Sequence, residues 1–428
     1  MLDVSLMQGD FISDSRLDVL CLVAMTDLSW NKQVICWTIT RALKAKSIKN
    51  NKHSEEMFMR STQIKTRVAT WLAVSICTLF STHSVAEDWS KVEAAAKKEG
   101  KLLVYSTTSR TAKAAEAFSK STGIAVEVVR LKEQELITRS YQEAQSGVHK
   151  VDMVVGEDWP AARELLNNTG YFVNYVPPTA KKLFAKQHQN PLVLGYINRV
   201  FGYNTEKHPN GDPLKSVWDL TTDEYKGRVM IRDVAITGEH QNALTEWVRR
   251  SSDLEAGYKK RFGKSLEMTE ANAGLEFIKR LLQNDAIIMT SDTKIAAAVG
   301  AKGQEKPPYG MFYVYSKHRD IKKKDLALSD SRQIDPTLGY MYPIVLQLSA
   351  NAPNPNAAKM FMEYLGTIEG FAPWAKSPGV YTPNPNQVPF DGDMPLAWWE
   401  ERMWLYDLDY AAANRGKVLD VWLKYAQR

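Results

Sequence analysis

From Asp88 to Ser316, short apolar runs alternate with stretches whose apolar residues recur every three or four positions, and that alternation leaves few folds open. "DWSKVEAAAKKEG" opens the series at Asp88 as a helix, with Ser90 placed to cap it and Gly100 to end it. "KLLVYST" reads as a buried strand. "AKAAEAFSKSTG", from Ala112, reads as an amphipathic helix closed by Gly123, and "IAVEVVRL" as a second strand. A helix over about Gln134 to Ser146, the strand "VDMVVG" and a helix from about Pro160 to Asn167 follow. The pattern then restarts: "VMIRD", "AIIMT" and "YGMFYVYS" are strands, and "QNALTEWVRR", "ANAGLEFIKRLLQ" and "KIAAAVG" are helices. Strands alternating with helices predict an α/β architecture with a mostly parallel sheet, here in two units. "TLGYMYPIVLQLS" returns to extended structure, and "NPNAAKMFMEYLGT" is a helix entered through Asn-Pro. The tail from Trp398 reads as helical and rich in Trp and Tyr, and is expected to pack against the first unit.

The first 86 residues read differently. Arg60, Lys65 and Arg67 precede an uncharged run from Val68 to Phe80, and "SVA" at 84–86 has the small–x–small pattern of a signal-peptidase site. That run spans about 20 Å as a helix, short of the roughly 30 Å hydrocarbon core of a bilayer. Residues 59–86 are therefore expected to be a cleaved secretion signal. Residues 1–58 precede it and are expected to be a non-native extension, with translation beginning near Met57 or Met59. All three cysteines, Cys21, Cys36 and Cys77, fall before residue 87, so the remainder offers no disulfide, thiol nucleophile or cysteine metal site. The first 86 residues hold 10 of the 55 Lys/Arg and 7 of the 49 Asp/Glu, which leaves the remainder near +3. That mild balance, with "IKKKD" at 321–325 as the lone basic block, gives no footing for nucleic acid.

Four stretches, "AAAKKEGKLLVYSTTSR" (94–110), "FSKSTGIAVEVVR" (118–130), "SVWDLTTDEYKGRV" (216–229) and "NAPNPNAAKMFMEYLGTIEG" (351–370), occur in an order that resembles the periplasmic solute-binding proteins of ABC importers, in the iron(III)-type branch. The resemblance spans nearly all of 87–428. It implies a type II-like fold of two α/β lobes joined by a two-strand hinge, with the ligand in a central cleft. On that basis lobe 1 comprises 87–195 and 337–428 with the C-terminal helices. The hinge and lobe 2 occupy 196–336, and the crossings fall near "LGYINRVFGYN" and "PTLGYMYP". The resemblance further implies a monomer that captures a small ligand in the periplasm, closes around it and delivers it to an inner-membrane permease. No resident cofactor is expected.

Open α/β sheets bind ligands beyond the carboxyl ends of their strands, where helix N-termini offer free N–H groups. Four hydroxyl-rich loops occupy such positions: Ser106, Thr107, Thr108, Ser109 and Arg110; Glu157, Asp158 and Trp159; Thr237, Gly238 and His240; and Asp292 with Thr293. Each of Ser109, Thr237 and Thr293 is also explained by helix capping alone. Tyr313 and Tyr315 stand two apart, so on a strand they point to one side, either into the core or, with Ser316, toward a ligand.

In the iron-binding members of the resembled family, two adjacent tyrosines, a histidine and a glutamate hold Fe(III). Carried over position by position, the glutamate matches Glu157 and one tyrosine matches Tyr315. The second tyrosine falls on Ser316 and the histidine on Ser109. Tyr313 or His240 would have to compensate. Fe(III) is therefore one expected cargo, held by Glu157 and Tyr315. An organic or oxyanionic compound is the favoured one. A cation held in an acidic–aromatic box of Glu157, Asp158, Trp159 and Tyr315 is the third. A secreted enzyme is the rival class, but the chain carries no G-x-S-x-G and no H-E-x-x-H. A binding protein that feeds a signalling receptor is the remaining alternative.

Overall fold

In the computed structural model, which describes residues 87–426, the alternating elements join into one twelve-stranded sheet. The expected secretion signal and the extension before it lie outside the described residues. No described helix is long and apolar enough to cross a membrane.

The strands are β1 (Lys101–Ser106), β2 (Ala125–Arg130), β3 (Met153–Gly156), β4 (Phe172–Val173), β5 (Leu192–Asn204), β6 (Val229–Arg232), β7 (Ile287–Met289), β8 (Tyr309–Val314), β9 (Leu328–Asp330), β10 (Gly339–Ser349), β11 (Val380–Tyr381) and β12 (Trp404–Leu405). The main path runs β2-β1-β3-β10-β5-β8-β6-β7. One end, β2-β1-β3, is parallel, and so is the other, β8-β6-β7. Between them β10 and β5 run antiparallel to each other and to their outer neighbours. Two βα halves are thus joined through two long central strands. All 13 residues of β5 and all 11 of β10 are buried, which is why neither shows the apolar–polar alternation of a half-exposed strand. Gly339 opens β10 at φ +138°, with Arg199 O only 2.0 Å from where a Cβ would stand, so no side chain fits at this crossing.

The helices that position the site are α1 (Trp89–Glu99), α2 (Ser109–Thr122), α3 (Glu133–Gln145), α4 (Trp159–Ala162), α5 (Gly238–Arg249), α6 (Ala273–Gln283), α7 (Asp292–Gly300), α8 (Pro355–Leu365), α9 (Ile368–Ala375) and α10 (Leu408–Ala426). Gly100 ends α1 as expected, in the left-handed region at φ 66°. Ser90 does not cap it: Asp88 holds the N-cap position and accepts the Ser90 hydroxyl at 2.7 Å. The second helix starts three residues before Ala112, because the Thr108 side chain accepts the Arg110 N–H at 3.3 Å and nucleates the turn early. Ser109 and Arg110 therefore belong to a helical first turn, not to a loop.

The C-terminal helix α10 departs from the expectation that it covers the first half. It packs on α5 and α6 of the second, burying Val418, Val421 and Trp422, and the Trp422 indole donates to Asp233 at 3.2 Å. Arg415 reaches back to Asp158 in the first half. An aromatic-rich helix announces that it is buried but not against what.

Candidate ligand-binding site

The two halves meet around Arg199, in the middle of β5. Its side chain is 2% exposed, and each end of the guanidinium is held. Nη1 donates to Asp292 Oδ1 at 2.7 Å and to the Phe312 carbonyl at 3.0 Å, and Nη2 donates to Glu239 Oε1 at 2.7 Å. Burial opposes its charge, but Asp292, the neighbouring tyrosines and Glu239 raise its pKa well above the usual value. Arg232 adds a second cation, 3.3 Å from Asp292 and 3.8 Å from Glu239. Both carboxylates lie in the first turns of their helices, α7 and α5, where the helix dipole favours negative charge. The Tyr342 ring lies 5.3 Å from the Arg199 guanidinium.

Across from this cluster, Glu157 follows β3. Its backbone N–H and that of Asp158 donate to the Glu133 carboxylate, at 2.9 and 3.1 Å, which fixes the loop. Thr107 donates to Glu157 Oε1 at 3.2 Å. Burial, then the charge of Glu239, push the Glu157 carboxyl up to about 7 against the pull of Arg199, Thr107 and Arg110. Because the folded chain holds this proton more tightly than the unfolded one, stability should fall as pH rises from about 4.5 to about 7. Thermal melts across that window should show a shallower decline in Glu157→Gln; parallel curves would remove Glu157 as a contributor.

The third group is basic. Arg110, in the first turn of α2, and Arg319, in the turn Tyr315–Asp320 after β8, converge on one hydroxyl. Arg110 Nη2 lies 3.3 Å and Arg319 Nη1 3.2 Å from Ser377 Oγ. Burial and then the charge of Arg319 lower the Arg110 pKa. Burial lowers that of Lys317, and Arg319 and Arg110 add to the effect against the pull of Asp292. Among the described residues, the one carboxylate within ion-pair distance of these three cations is Asp320, 3.9 Å from Arg319. Five basic groups, Arg110, Arg199, Arg232, Lys317 and Arg319, thus face four acidic ones, Glu157, Glu239, Asp292 and Asp320. A cavity of about 530 Å³ opens at Arg110, Arg319 and Ser377.

The residues singled out in the sequence fall into three sets. Thr107, Arg110, Glu157 and Asp292 come together at this junction. Ser109 lines the cavity beside Arg110, and Thr293 is exposed. The others, Thr237 apart, are held by structural partners. Ser106 bonds Thr111 at 2.7 Å, and Thr108 caps α2. Asp158 accepts from Asn242 at 2.9 Å and from Arg415 at 3.0 and 3.1 Å, and its carboxylate rests against Gly238, where a Cβ would stand 2.1 Å away. Trp159 is buried with Leu136, Ile137 and Phe172, so the acidic–aromatic box is not assembled. Thr237 precedes α5 without capping it, and its buried hydroxyl has no hydrogen-bond partner among the described residues. His240 bonds the Tyr340 hydroxyl at 2.9 Å, and burial, then Arg199 and Arg232, lower its pKa well below the usual value.

The tyrosines do not share a strand face. Phe312 sits at φ 57°, β8 ends at Val314, and Tyr315 begins a 3₁₀ turn, so the two-residue alternation is broken. Tyr313 is fully buried over Gly202 and Gly310, stacked on His318 and bonded to it at 2.6 Å. The Tyr315 hydroxyl accepts from Arg332 at 2.8 Å, and its ring packs on Trp399. Burial and then Asp330 raise the Tyr315 phenol above its usual value. Ser316 is buried, and its carbonyl accepts from Arg319 at 3.0 Å. The sequence reading missed Arg199, Arg232, Glu239, Lys317, Arg319, Tyr342 and Ser377. An arginine inside an otherwise apolar strand, "GYINRVF", was the one local signal among them.

Comparison with known proteins gives the same architecture. The family model described as bacterial extracellular solute-binding protein matches residues 113–400. No curated protein matches the chain. Among solved structures, iron-bound HitA from Pseudomonas aeruginosa is similar at 19% identity, over 75% of this chain and 99% of that one, with a TM-score of 0.60. The periplasmic binding protein AfuA from Actinobacillus pleuropneumoniae, with exogenous fructose-6-phosphate bound, is similar at 16% identity, over 76% and 98%, with a TM-score of 0.58. IdiA (FutA) from Trichodesmium, in complex with iron and citrate, is similar at 17% identity, over 77% and 100%, with a TM-score of 0.55. At these identities the structural likeness speaks for the fold.

Proposed function

Since the chain belongs to the family of bacterial extracellular solute-binding proteins, we propose that it is the ligand-capturing component of an ABC importer and that its cargo is an organic or oxyanionic anion. The anion is held between Arg110 on the first half and Lys317 and Arg319 on the second. The observation that carries this reading is the convergence of Arg110 and Arg319 on Ser377 where, among the described residues, no carboxylate lies within ion-pair distance of Arg110 and Arg319 has Asp320 alone, at 3.9 Å. Like charges drawn together at a partly buried site are unfavourable unless an anion completes it. Ligand bridging the halves favours the closed arrangement by its differential affinity, and the closed form docks on an inner-membrane permease. On this reading the protein works in the periplasm.

Fe(III) is the weaker cargo. The Tyr315 hydroxyl already accepts from Arg332, whose charge opposes a metal cation there. Tyr315→Phe should therefore leave anion affinity unchanged in calorimetry and cost about 0.5–3 kcal/mol of folding stability through the lost hydrogen bond. A coloured ferric complex in the parent that the variant cannot form would reverse the order of these readings.

The proposal itself is tested by calorimetry with small carboxylates and phosphonates against Arg110→Ala and Arg319→Ala. Each substitution should weaken binding by about tenfold or more, because each removes a partly buried charge-assisted contact. Binding of spermidine or thiamine in place of anions would sink it.

A further inference from the structure

The cavity that opens at Arg110 and Ser377 does not end there. It continues along one face of α2, past Lys113 and then Ala114 and Ala117. Lys113 is three residues beyond Arg110, so the two side chains rise from the same helix face about one turn apart. On the facing wall, Lys376 stands beside Ser377, after α9. Its floor between the walls is small and apolar, with Ala114, Ala117, Ala372 and Pro373. The cavity thus has four basic side chains, Arg110, Lys113, Arg319 and Lys376, against one acidic one, Glu369. Glu369 lies in the first turn of α9 beside the Tyr364 hydroxyl, at 3.5 Å.

A single small anion is satisfied by Arg110, Arg319 and Ser377. It leaves Lys113 and Lys376, which line the same cavity, with no carboxylate within ion-pair distance among the described residues. We propose that the cavity takes an extended dianion, an organic acid with two anionic groups joined by a short carbon chain. One group lies at the Arg110–Arg319–Ser377 end, and the second lies about one helical turn away, at Lys113 and Lys376. The carbon chain lies on the alanine and proline floor. A volume of about 530 Å³ falls in the range of small-molecule sites and exceeds what a bare oxyanion fills. The inference rests on the anionic-cargo reading and deepens it.

The test is calorimetry on the protein as purified, at fixed ionic strength, with matched pairs: butyrate against succinate and glutarate, and propylphosphonate against 3-phosphonopropionate. The dianion of each matching pair should bind about five- to tenfold more tightly than its monoanion, the scale of two exposed charge contacts. Lys113→Ala combined with Lys376→Ala should bring the dianion down to the monoanion's affinity. Because the lysines are exposed, that preference should also shrink as salt is raised. Equal binding of monoanion and dianion, or a preference that survives the double substitution, overturns this inference and leaves the anionic cargo standing. Binding of neither kind contradicts the anionic cargo itself, and this inference with it.

Discussion

Arg199→Leu should lower the folding free energy by about 3–5 kcal/mol, the largest loss expected of any single substitution at the site. The leucine fits the volume of a buried strand position, so the cost is electrostatic. Asp292 and Glu239 lose the donors that hold them at 2.7 Å, and the Phe312 carbonyl loses its partner at 3.0 Å. Arg232 is nearby, but at 3.3 and 3.8 Å it reaches the same carboxylates less well. Arg199→Lys should recover only part of the loss, because one ammonium cannot span two carboxylates and a carbonyl as a planar fork does. Urea unfolding of the three proteins measures this. A leucine variant as stable as the parent would mean that the buried pairs are worth no more than an apolar contact. Triple replacement of Arg199, Glu239 and Asp292 by apolar residues would then be tolerated too.

The second large effect is expected at Gly238. A Cβ there would stand 2.1 Å from the Asp158 carboxylate, so Gly238→Val drives a wedge between the two halves. It displaces a side chain that receives hydrogen bonds from Asn242 at 2.9 Å and from Arg415 at 3.0 Å. Losing charge-assisted bonds of about 1.5–3 kcal/mol each from the closed arrangement should weaken anion binding by about 100-fold or more. Small-angle scattering should show a larger radius of gyration than the parent in the presence of ligand. Unaltered affinity with unaltered dimensions would mean that the Asp158–Gly238 contact plays no part in closure.

What could be read in the sequence followed from local rules. Strands and helices between Asp88 and Ser316 were legible because period and capping are short-range, and Gly100 and Gly123 end their helices as glycine does. "TLGYMYPIVLQLS" was legible as an extended segment because burial on both faces leaves β10 mainly apolar, whereas "LGYINRVFGYN" was named only as a crossing that the family resemblance implies. The site was legible only in part. Loops that follow parallel strands converge, so Arg110, Glu157 and Asp292 could be named. Arg199 could not be given its role, since its partners lie 40 and 93 residues away and no local pattern encodes them. Tyr313 and Tyr315 misled because alternation holds only while the strand lasts, and the left-handed Phe312 ends it. Ser377 carried no signal, being one serine after a helix until Arg110 and Arg319 meet on it.

On the function proposed above, an organic anion sits against Arg110, Lys317 and Arg319. Native mass spectrometry of the protein purified from a bacterial periplasm, followed by metal analysis and release of the bound molecule from the same sample, tests it most directly. The expected result is one acidic organic molecule per chain, lost in Arg110→Ala, with iron far below one atom per chain. Stoichiometric iron, or an organic cation in the released fraction, would contradict it.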